Sequence, residues 1–232
     1  MLVEWRRDGY RVFGEPDSEE RFLLMAEQLK PLPSELPLVI GDAFQCMRNS
    51  LDHIVFALSR KNTPAMTVED EEIPSFPIQK SATADKVAVS DGRLQLLKPR
   101  VRQIVCDLAP DPARQPLDQD PLWLLNKMSN RDKHREISVA AVANGVVGYG
   151  IARTDGSVYF KPLPRQRLEM GAKAVAIAEF SSGPDVNAEI SHSTQVVFDK
   201  GVEVADLQLL ETLQWMHDYI RDTVFERLEA HL

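Results

Sequence analysis

The stretch PLVIGDAFQCMRNSLDHIVFALSRK, residues 37–61, decides the fold class. Ile40, Phe44, Met47, Leu51, Ile54 or Val55, and Leu58 recur at spacings of three and four. That is the period of one face of an α-helix packed on a core. Pro37 falls in the first turn, where a missing N–H is harmless, and Ser34 precedes it as a candidate N-cap. Arg60 and Lys61 suit the negative end of the helix dipole, and Asn62-Thr63-Pro64 stops the helix.

Upstream, residues 1–30 read as an N-terminal β-hairpin. Tyr10 and Val12, then Phe22 and Leu24, alternate as half-buried strands do, and residues 14–18, GEPDS, supply turn chemistry. Downstream, residues 62–92 are irregular and acidic, with a short apolar IPSFPI that fits a strand or a docked loop. Helical patterning resumes over residues 92–108, where Pro99 favours two shorter helices over one. Residues 121–130, PLWLLNKMSN, read as a short helix with Asp120 as its cap. The region 37–136 is thus mainly helical.

From Ile137 the period becomes two. Residues 137–200 hold four strand-like runs with turn signals at Asn144-Gly145 and residues 154–157. They predict an antiparallel sheet of about four strands. Residues 205–231 form an amphipathic helix with Leu209, Leu213, Met216, Ile220, Val224 and Leu228 on its apolar face. Helices and strands segregate along the chain, so the expected class is α+β in a single domain of 232 residues: a helical core around the long helix, packed with the sheet.

Hydrophobic residues at 44% and charged residues at 27% are ordinary for a globular protein. No apolar run is long enough to span a membrane, and residues 1–10 lack the pattern of a signal peptide. Cys46 and Cys106 lie far apart without a CxxC, so a reducing cytoplasmic setting is expected, with Cys46 a small buried residue of the long helix. A net charge of −8 argues against coating of nucleic acid, although basic residues gather at Lys98, Arg100 and Arg102 and at Arg131, Lys133, His134 and Arg135. The phosphate-binding GxxxxGK[ST], the dinucleotide GxGxxG, the GxSxG elbow and HExxH are all missing.

Two polar knots remain. In RNSLDH, residues 48–53, Arg48 and Asp52 share one helix face, and Asn49 and His53 another. Arg48 and His53 stand about 140° apart. The plain reading is an Arg48–Asp52 ion pair with His53 at the edge of the core. The sharper reading is a catalytic or ligand-holding face. The second knot, SNRDKHRE, residues 129–136, is either a polar helix end or a place where Asn130, Asp132 and His134 meet a ligand. His192, His217 and His231 are assigned to structure or surface.

RNSLDH resembles the Rx4–6H signature of HEPN domains, all-α proteins of which many are metal-independent, dimeric ribonucleases. More widely, IGDAFQCMRNSLDHIVFAL, then FPI, then LWLLNKMSNRDKHRE look like an uncharacterised bacterial family carrying GDxxHNLRxxLDH and LNxxDKHR, a likeness spanning roughly residues 38–136. The chain departs from it at Gln45-Cys46, where the family pattern has His-Asn. The HEPN resemblance implies His53 as general base or acid on a ribose 2′-OH, Arg48 stabilising the phosphorane-like transition state, and Asn49 positioning it. Asp52, Asp132, Lys133, His134 and Arg135 would bind the ligand. RNA and a second copy of the chain are the partners so implied, with no cofactor, no metal and no membrane. Two alternatives stand beside it. One is a non-enzymatic interaction or scaffold protein in which both knots are structural and a protein partner docks. The other is a small-ligand or metal site drawn from Asp52, His53, Asp132 and His134.

Overall fold

The computed structural model describes the chain except residues 1, 19–20, 72–73, 79–91, 93, 133–136, 146–159, 182–191 and 200–203. The fold is mixed α and β with antiparallel strand pairing, as the alternation and helical stripes require. Backbone contacts group it into two compact units. One joins Met1–Leu36 to Ser138–Lys200, and the other joins Pro37–Ile137 to Gly201–Leu232.

The first unit is the strand-rich one. A short helix α1, Leu2–Asp8, precedes the hairpin β1, Tyr10–Pro16, and β2, Arg21–Gln28. The hairpin was expected from residue 1, and α1 escaped notice because seven residues are too short to show helical periodicity. Trp5 anchors α1: it is 4% exposed, and its indole N–H donates to the Lys30 carbonyl at 3.0 Å. Gly9 follows because nothing larger fits; a Cβ there would lie 2.5 Å from the Trp5 ring nitrogen and from its carbonyl oxygen.

Further strands are β3, Val139–Gly145; β4, Phe160–Pro162; β5, Gln166–Leu168; β6, Val175–Ser181; and β7, His192–Phe198. Among the described residues they form two sheets, not one sheet beside a separate hairpin. The four-stranded sheet runs β1-β2-β6-β4, so β2 is an inner strand paired antiparallel with β6. The three-stranded sheet runs β5-β3-β7. Residues 168–180, one of the four strand-like runs expected over 137–200, are broken by a turn in which Gly171 takes φ +75°, a conformation natural to glycine. The chain thereby leaves one sheet at Leu168 and enters the other at Val175. Ala140, Ala141, Val142 and Ala143 are all buried, so both faces of β3 are covered.

The second unit is helical. It contains most of α2, Leu36–Asn62; α3, Val68–Glu71; α4, Pro99–Leu108; α5, Pro121–Asp132; and α6, Leu209–Tyr219. A π-helical segment, Ile220–Phe225, runs on from α6 into α7, Glu226–Glu229. The α2 stripe is buried as its spacing requires, with Ile40, Phe44, Leu51, Val55 and Leu58 at most 4% exposed. Cys46 is exposed, contrary to expectation, because it lies off that stripe. Pro99 opens α4 as its first residue, and the turn before it, at Leu94–Leu97, is held by the Arg102 guanidinium donating to the carbonyls of Leu94, Gln95 and Leu97. Asp120 caps α5, accepting from the Trp123 N–H at 2.9 Å.

Along α6 to α7 the buried positions are 209, 212, 216, 220, 224 and 228. An α-helix turns 100° per residue, so each four-residue step drifts by about 40°. Four such steps in succession would carry the row about 160° round the helix and off the core. The wider π turn takes back part of that drift.

Candidate functional site

Helix α2 carries two polar rows side by side. The first is Gly41, Gln45, Arg48 and Asp52, spaced four, three and four, and therefore on one face. The second, one position on, is Asp42, Cys46, Asn49 and His53, all exposed.

The first row is spent on the rest of the helical unit. Arg48 Nη1 meets Asp52 Oδ1 at 2.6 Å, and Arg48 Nη2 donates to the Phe76 carbonyl at 3.0 Å. The Phe76 N–H in turn donates to Asp52 Oδ1 at 2.8 Å. The two side chains thus grip the N–H and the C=O of one residue, as a neighbouring strand would. Their side chains are 14% and 35% exposed, so Arg48 is largely covered while Asp52 keeps one side open to solvent. The gripped stretch, residues 74–78, is the PSFPI of the sequence: a docked non-helical segment with Phe76 0% and Ile78 6% exposed. Pro77 restricts Phe76 to extended backbone, which leaves both its polar groups free to be taken.

One turn towards the N-terminus, Gln45 and Ser129 of α5 exchange hydrogen bonds. Gln45 Nε2 donates to the Ser129 carbonyl at 2.8 Å, and the Ser129 hydroxyl donates to Gln45 Oε1 at 3.1 Å. At the head of the row, a Cβ on Gly41 would lie 2.0 Å from Asp132 Oδ1. Gly41 is therefore the gap that lets the end of α5 close on α2. The stretches that carry the two polar knots meet here, at Gly41–Asp132 and Gln45–Ser129.

The structure brings Arg48 and Asp52 together and seats Asp132 on the same face. It does not bring Arg48 to His53: the arginine is turned into the clip, and His53 lies out on the exposed row beside Asn49. Lys133, His134 and Arg135 lie outside the described residues. Among the described residues no group of three or more His, Cys, Asp or Glu is arranged to hold a metal. The Phe76 backbone and the Gln45–Ser129 pair were not foreseen. Their signal was the spacing of Gly41, Gln45, Arg48 and Asp52, which marks one interface but does not name what lies across it.

No protein-family model, no curated protein and no solved structure matches this chain.

Proposed function

We propose that this protein works by binding and not by bond cleavage, with the RNSLDH motif serving as a structural clip. One observation carries the reading: Arg48 and Asp52 are consumed by each other and by the backbone of Phe76. A cation that stabilises a phosphorane must face the oxygens where charge develops, and it must share that space with the proton-transfer group. Arg48 faces Phe76, and His53 faces away from it.

The open row is then the contact surface, and the partner it fits is a second copy of the chain. Two α2 helices crossing antiparallel about a two-fold axis between Met47 and Arg48 pair residues whose numbers sum alike. Asp42 of one copy meets His53 of the other, and Cys46 meets Asn49. The apolar ends, with Leu38 at 70% exposure, fall opposite Ala57. The row complements itself in chemistry as well as in number.

The test is the mass in solution, by light scattering across a dilution series. A dimer is expected. His53→Asp weakens it by about tenfold or more, and Asp42→His in the same chain recovers it. A monomer at all concentrations overturns the self-pairing.

A second reading is favoured by the exposure of Asn49 and His53 on one row: a HEPN-like ribonuclease in which His53 transfers the 2′-OH proton. Labelled single-stranded RNA and tRNA, incubated with EDTA, distinguish the two. Cleavage by the wild type, lost in His53→Ala and leaving 2′,3′-cyclic phosphate ends, overturns the binding reading.

A further inference from the structure

We propose that the cavity bounded by the end of α2, the start of α4 and the end of α7 is a binding site for a phosphoryl dianion. The cavity holds about 150 Å³ and is lined by Leu58, Lys61, Asn62, Lys98, Val101, Ala230 and His231. It lies wholly within the helical unit and apart from the polar rows of α2.

Among the described residues its lining includes two ammonium groups and an imidazole but no carboxylate side chain, in a chain whose net charge is −8. The Lys98 side chain makes no hydrogen bond or ion pair among the described residues. Lys61 gives one of its three protons to the Leu232 carbonyl, which leaves two. The Asn62 amide is committed to the Leu96 carbonyl at 2.8 Å and acts as wall.

The backbone adds to this. Lys98 is the N-cap of α4, no side chain caps that end, and the ladder opens only with the Arg102 N–H on the Lys98 carbonyl. The N–H groups of Arg100 and Val101 precede it. The α4 N-terminus contributes about half a positive charge, and the C-terminal ends of α2 and α7 contribute about half a negative charge each. Against that balance Lys61 and Lys98 set two ammonium groups at the cavity wall. An oxyanion with several acceptors, small enough for this volume, answers both the ammonium groups and the backbone donors.

Isothermal titration of the whole chain with inorganic phosphate and with glycerol 2-phosphate, in chloride buffer, tests this. Saturable binding is expected, weakened about tenfold in Lys61→Gln or Lys98→Gln and lost in the double variant. Both lysines are exposed, so the folded state survives these changes, which circular dichroism verifies. Binding of both probes assigns the site to the phosphoryl group wherever it is carried. Binding of inorganic phosphate alone restricts it to the free ion, and binding of the ester alone to a phosphomonoester. No binding of either, or binding unchanged in the double variant, overturns the proposal. The His53→Asp dimer variant keeps its phosphate affinity, so the two proposals fail separately.

Discussion

The carboxylate of Asp52 accepts from a guanidinium and from a backbone amide at once. Removing it strands the Phe76 N–H and leaves Arg48 half-buried without its counter-charge. Asp52→Ala is expected to cost about 1–3 kcal/mol in urea denaturation, and a cost under the error of that measurement would show that the clip carries no weight. His53→Ala, on the exposed row, is expected to move folding stability by less than about 0.5 kcal/mol. Tyr219 gives a pH dependence at the same scale. Burial pushes its phenol pKa up from 10.0, and the negative charge of Asp120 adds to the effect. A raised acid pKa means that the unfolded chain releases the proton first. The contribution is therefore intact below pH 10 and lost as pH rises through the folded value. Tyr219→Phe is expected to flatten the fall in melting temperature above pH 10, and an unchanged fall would assign it to other groups. The Arg48–Asp52 pair was legible in the sequence because helix geometry alone sets it. The Phe76 contact was not, because it joins positions 24 and 28 apart along the chain.

Among the elements, α2 was readable at both ends, from its stripe and from Asn62-Thr63-Pro64. Alternation located β2 and β6 but could not pair them, since period two fixes faces and not neighbours. The π segment reads differently again. With one residue removed inside it, at Thr223, the buried row would step by three, four, four, three and four, the pattern of an unbroken α-helix. The segment is an α-helix carrying one inserted residue. Deleting Thr223 is therefore expected to leave the helical circular dichroism and to shift the melting temperature by only a few degrees. Deleting Gln214, inside the regular α6, rotates every later apolar position by about 100° and is expected to prevent cooperative folding. Equal damage from both deletions would rule out the insertion account. The docked stretch has its own safeguard. Pro74 and Pro77 lack the N–H that Asp52 requires, so a slip of one residue forward or two back leaves the clip without a donor.

At the scale of the molecule, neither unit is a continuous piece of chain. Residues 37–137 lack the partners supplied by Leu209, Met216, Val224 and Leu228, all buried at 1% exposure or less. Expressed alone, that fragment is expected to show no cooperative urea transition, and adding a peptide of residues 201–232 should restore one. A sharp transition in the isolated fragment would refute the division. The interleaving also sets an order of events during synthesis. Strand β2 leaves the ribosome roughly 150 residues ahead of β6, the strand that covers its inner edge. At about 5–20 residues per second, that edge stays open for on the order of ten seconds. An open strand edge is a template for pairing with other chains. The hairpin of β1 and β2 is thus the part of this chain that a chaperone has most time to meet.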